Sequence, residues 1–115
     1  MKERRKIPRR YIMFYSRIFD RKTGKLVGYL SDITREGAMI ISDEPIEAEN
    51  NYIFRMDLPD YVFGRGYLNL DVHCVWSRPD VNPDFYLAGF RLMEIEEVDG
   101  KVIDQINKEY GLRDR

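Results

Sequence analysis

Arg5 and Arg9 stand four apart on a polar stretch that precedes the first apolar run, and Asp32, Thr34 and Gly37 form a second polar cluster between two apolar runs. A guanidinium is a planar, permanently charged fork of donors, matched to phosphate oxygens and to the O6/N7 edge of guanine. A carboxylate accepts, a hydroxyl both donates and accepts, and a glycine lets another group approach the backbone closely. If the two pieces meet in space, these groups describe a pocket for a guanine nucleotide.

Other chemistry is poorly represented. His73 and Cys74 are neighbours in a strand pattern, so they point to opposite faces and form no catalytic pair. With one histidine and one cysteine, the chain has no metal-ligand cluster of those types. Asp43-Glu44 and Glu94-Ile95-Glu96-Glu97 read as solvated loop or helix-start charge. Gly64-Arg65-Gly66 lacks the following helix that a phosphate-cradling loop requires. The sequence gives no reason to expect an enzyme or a metal.

The elements that must position these groups are mostly strands. Tyr11 to Asp20 and Leu26 to Ser31 flank a short polar connection containing Gly24, a hairpin signal, and Gly28 marks a bulge or a close packing contact. The segment Asp32 to Gly37 then forms a turn at a strand end. Its bland reading is a local side-chain-to-backbone turn with Gly37 at positive φ, which is compatible with ligand binding. Ala38 to Ile41 continues as an apolar strand. Tyr52, Phe54, Met56 and Leu58 alternate on one face, as do Leu68, Leu70, Val72, Cys74 and Trp76, and then Tyr86, Ala88, Phe90 and Leu92. Val98, Val102, Ile103, Ile106 and Tyr110 recur at helical spacing, with Gly100 weakening the first turn. The expectation is a mainly β protein: a small antiparallel six-stranded β-barrel over 11–95, a C-terminal α-helix over 96–111, and a flexible basic arm over 1–10, in one domain.

Charge is unevenly distributed over the 115 residues. Lys2, Arg4, Arg5, Lys6, Arg9 and Arg10 against Glu3 give the first ten residues +5, so the rest of a chain of net charge −1 sums to −6. Cationic binding is confined to the arm, which argues against general nucleic-acid binding. As a plain charge run the arm would be a solvated tail. A lone cysteine leaves no internal disulfide, and no apolar run reaches the ~20 residues of a membrane span, so a cytoplasmic location is expected.

The motifs Arg5-Lys6-Ile7-Pro8-Arg9 and Asp32-Ile33-Thr34-Arg35-Glu36-Gly37, with Ala88-Gly89-Phe90 downstream, resemble those of the PilZ domain family, receptors for cyclic di-GMP in bacterial signalling. The family pattern is RxxxR followed by (D/N)xSxxG. Thr34 stands at the serine, and Glu36 at a place that is often glycine. The resemblance implies a split-barrel fold and a receptor for cyclic di-GMP. In it Arg5 and Arg9 hold phosphates and guanine edges, Asp32 accepts from a guanine N–H or braces an arginine, Thr34 bonds base or phosphate, and Gly37 lets the ligand approach. Arg4 matches an additional arginine with which family members hold two intercalated dinucleotides. It further implies that ordering of the arm passes the signal to a downstream protein partner. Two other readings stay open: a PilZ-like interaction scaffold that has lost the nucleotide, and a small barrel that binds single-stranded nucleic acid through its arm and tyrosines.

Overall fold

Strands of alternating apolar and polar residues bury one face each, and a small set of them resolves its exposed edges by closing on itself. In the computed structural model, which describes residues 16–58 and 64–110, the strands are β1 (Arg17–Asp20), β2 (Leu26–Ile33), β3 (Gly37–Ser42), β4 (Asn51–Asp57), β5 (Tyr67–Pro79) and β6 (Tyr86–Leu92), followed by helix α1 (Glu97–Tyr110). They form a closed antiparallel barrel in the order β1-β2-β3-β6-β5-β4. Closure falls on β1, where Ile18 pairs with Gly28 of β2 on one side and Met56 of β4 on the other. The expected six-stranded barrel with a C-terminal helix is the fold. Residues 11–15, read as the start of the first strand, lie outside the described residues.

The inward faces carry Ile18, Leu30, Ile33, Ile40, Phe54, Met56, Leu68, Leu70, Val72, Ala88 and Phe90, all buried. At the centre Phe54 stacks on Tyr52 and meets Phe90 edge-on, both at 5.4 Å between ring centroids. Cys74 is fully buried, and that burial pushes its thiol above the ordinary range. His73, on the other face as expected, lies 2.7 Å from Asn51 Oδ1.

Three register shifts interrupt the alternation, leaving Val27, Ser31 and Val75 as extra residues. The third corrects the sequence reading of Trp76. Beyond Val75, Trp76 pairs with Gly89, whose neighbours Ala88 and Phe90 face the core, so the indole lies on the outer surface. Gly89 is needed beneath it, because a Cβ there would lie 2.3 Å from Trp76 Nε1. Gly28 is likewise a contact glycine, its notional Cβ only 2.2 Å from the Ile41 carbonyl oxygen.

Helix α1 contributes Val102, Ile103 and Ile106 to the core, but Val98 is 57% exposed, so the apolar stripe is shorter than its spacing suggested. Phe54→Ala should therefore cost about 3–5 kcal/mol of unfolding free energy, whereas Val98→Ser should stay within about 0.5 kcal/mol, both read by urea denaturation followed by circular dichroism.

Candidate functional site

The segment between β2 and β3 is a tight turn made by its own side chains. Asp32 faces outward opposite Met39, and its Oδ1 accepts from the Ile33 N–H at 2.9 Å. Thr34 Oγ1 accepts from the N–H groups of Glu36 and Gly37 at 3.2 and 3.3 Å, and the Thr34 N–H donates to the Gly37 carbonyl at 2.8 Å. The local turn expected from the sequence is thus formed, chiefly by the threonine hydroxyl. Its proton remains available to donate, and Asp32 Oδ2 accepts no hydrogen bond among the described residues.

Gly37 differs from expectation. Its φ is not positive; the described glycines in that region are Gly24 and Gly64. It is required because β6 crosses close by: a Cβ on Gly37 would lie 2.5 Å from the Phe90 carbonyl oxygen.

Sequence reasoning passed over Arg35. Its Nε donates to both oxygens of Asp104 at 3.1 Å, Nη2 lies 2.9 Å from Asp104 Oδ2, and Nη1 and Nη2 reach the Glu97 carboxylate at 3.4 Å. These bonds raise the Arg35 pKa further and hold the Asp104 carboxyl below its ordinary value. Gly100 makes room for the guanidinium, since a Cβ there would lie 2.8 Å from Arg35 Cζ. One turn onward, Asn107 Nδ2 donates to the Ile33 carbonyl at 2.8 Å. Glu97, Gly100, Asp104 and Asn107 recur at three- and four-residue steps, hence on one side of α1, and all are used to fasten the helix to this turn. Arg65 adds an ion pair to Asp99. The spacing was readable, but its partner, a single arginine inside a turn, was not.

Two more residues share the outer face. Cross-strand pairing sets Gly37 beside Arg91 and Arg91 beside His73, while Asp32, Met39, Gly89 and Trp76 form the adjoining row. From β2 to β5 that row spans about 14 Å at ordinary strand spacing. Arg91 is exposed and makes no ion pair among the described residues. The Arg78 guanidinium lies 4.6 Å from the centroid of the Trp76 ring. Trp76 was missed because a bulge reverses its face, and Arg91 because a single outward arginine in a strand carries no signal of its own.

The turn thus brings Asp32, Thr34 and Gly37 together. Arg4, Arg5 and Arg9 lie outside the described residues. Ser16, where the description begins, fixes the entry of the chain: its carbonyl accepts from Leu30 N–H at 2.9 Å and its hydroxyl donates to the Asp57 carbonyl. Among the described residues no group of three or more His, Cys, Asp or Glu could hold a metal, and no helix is long and apolar enough to cross a membrane.

Gly100→Ala tests the packing of Arg35. Alanine ordinarily improves a helix interior by ~1 kcal/mol over glycine, and here the methyl must displace the guanidinium. The gain should appear in full only in an Arg35→Ala background, as measured by a double-mutant cycle of thermal unfolding. The Asp104 pKa is lowered in the folded state, so its contribution is present above the ordinary carboxylate range and lost as pH falls through the depressed value. The difference between the two backgrounds should shrink accordingly in acid.

A family model described as PilZ domain matches residues 3–109. No curated protein and no solved structure matches the chain.

Proposed function

Because the chain belongs to the PilZ domain family, known for binding cyclic di-GMP, we propose that it is a receptor for that dinucleotide, which docks on the outer face beside the Asp32–Gly37 turn. The observation that carries this reading is the turn itself, with an outward carboxylate and a hydroxyl facing the same surface as Arg91 and Trp76. Entry of the chain beside Leu30 supports it. Arg9 is seven residues before Ser16, a reach of at most ~25 Å in extended chain, and Arg5 is four residues further out, so the arm is long enough to return to the turn.

In this reading Arg5 and Arg9 contribute forked donors to the phosphates and to the guanine O6/N7 edges. Asp32 accepts from a guanine N–H or braces an arginine, and Thr34 donates its free hydroxyl proton. Gly37, already required by β6, leaves the surface low enough for the ligand. Arg91 adds positive charge, and Trp76 with Arg78 offers flat surfaces for a base. The protein transmits rather than catalyses: the ligand orders the arm, and any shift of the turn moves Arg35 and with it the contacts of α1 to a protein partner.

Calorimetry with cyclic di-GMP is the test. Arg5→Ala and Arg9→Ala should each weaken binding by about 1–3 kcal/mol with an unchanged thermal transition. Asp32→Ala should weaken it too, while Thr34→Ser, which only removes a methyl, should keep or improve it. No heat of binding in the parent would point instead to a scaffold that has lost the nucleotide.

Arg4 makes the arm suited to a stacked pair of dinucleotides, because two such ligands bring four phosphates together and each guanidinium reduces their repulsion. The parent should titrate at two dinucleotides per chain and Arg4→Ala at one. A parent ratio of one overturns this part of the reading and leaves the rest standing.

A further inference from the structure

The end of the barrel away from the turn and α1 opens into a cavity of about 1020 Å³, between the β1–β2 hairpin, the β3–β4 connection and the β5–β6 loop. Its walls include Val27, Ile46, Tyr52 and Phe85, while its rim carries Asp20, Asp43, Glu44 and Glu47 against Lys25. A second cavity of about 640 Å³ shares Asp20, Glu47 and Tyr52 with the first and adds Lys22, Glu94 and Asp71, the last paired with Arg21, so the two adjoin in one groove whose rim carries more carboxylates than cations. Exposed aliphatic side chains line it, with Leu26 at 47% and Met93 at 46%.

We propose that this groove docks a partner polypeptide segment presenting aliphatic side chains flanked by lysine or arginine. The apolar walls call for aliphatic groups, and the carboxylate rim selects cations and repels anionic ligands, cyclic dinucleotides and nucleic acids among them. Length favours a segment over a small molecule, since the joined cavities exceed the ~300–1,000 Å³ of ordinary small-ligand pockets. The rim is also fixed in place before binding, which lowers the ordering cost. Asp20 Oδ1 accepts from Lys22 and Thr23 N–H groups, Asn50 donates to Glu47 at 3.3 Å, and the buried Ser42 hydroxyl donates to the Glu44 carbonyl at 2.7 Å. The groove shares no lining residue with the Asp32–Gly37 turn, so this inference goes beyond the nucleotide reading and does not rest on it.

Fluorescence anisotropy with a labelled peptide of alternating lysine and leucine, titrated with the full chain without nucleotide, tests the proposal. Saturable binding is expected, with Glu44→Lys and Leu26→Ser each weakening it at least about fivefold. Both side chains are exposed, and an unchanged thermal transition shows that the variants fold. Glu96→Lys, at the foot of α1, should leave binding unchanged, and a glutamate–leucine peptide should not bind. No saturable binding, or equal loss with Glu96→Lys, overturns the proposal. So does tighter binding after Arg4 and Arg5 are changed to serine, which would give the groove to the chain's own arm. A dimer in sedimentation that Glu44→Lys dissolves would give it to a second copy and overturn the proposal as well.

Discussion

The contact on which the arrangement of the site depends is the reach of Arg35 from the β2–β3 turn to α1. The barrel determines where the turn lies, because β2 and β3 are adjacent antiparallel strands and the link between them must fall at the rim. Burial of Val102, Ile103 and Ile106 brings α1 onto the barrel, and what remains is to fix how the helix meets that rim. Arg35 does this with a fork shared between Asp104 and Glu97, and Asn107 does it through the Ile33 carbonyl. A lysine would not serve equally, since its point charge cannot bridge two carboxylates with a planar fork. Gly100 is the concession the helix makes, giving up helix propensity so that the guanidinium can lie against its backbone.

The chemistry of this junction differs from that of the barrel. Phe54, Leu70 and Met56 are packed out of contact with water, and changing their arrangement would lose apolar burial. Arg35 and its partners are solvated, and exposed ion pairs contribute little net free energy because water competes for both partners. A ligand that redistributes the contacts of the turn therefore meets weak opposition at Arg35 and strong opposition in the barrel. On the receptor reading, the barrel acts as a fixed frame, and the turn-to-helix junction is the part that a nucleotide can rearrange.

The readable parts of the sequence were those governed by one period at a time. Phe54 to Leu58 and Leu68 to Cys74 face inward as their alternation required, and Val102, Ile103 and Ile106 pack as helical spacing required. What escaped was set by contacts between distant segments. One extra residue at Val75 turns Trp76 from the core to the surface, and no local pattern announces it. Gly37 read as a conformational glycine, yet the atom that demands it is a carbonyl of Phe90 more than fifty residues on. Gly100 read as a weak point in a helix, and its meaning appears only once Arg35 is placed against it. Asp32 and Thr34 were legible because a turn is local: the side chains that shape it are its own.

The two ends of the barrel differ in how their charges are paired, and the strands between them keep the two arrangements apart. At the turn end Arg35 and Arg65 are paired with Glu97, Asp104 and Asp99, and Arg91 makes no ion pair among the described residues, whereas at the hairpin end Asp20, Asp43, Glu44 and Glu47 stand around half-buried apolar walls. Separated by the length of β2 and β3, more than a Debye length of ~8 Å at physiological salt, each end keeps its own field. On the two proposals above, a phosphate-bearing ligand beside the turn and a basic segment in the groove would not compete for surface. If occupancy of one end alters the other, the effect must pass through the arm or through α1, since the closed barrel between them leaves no free strand edge to move.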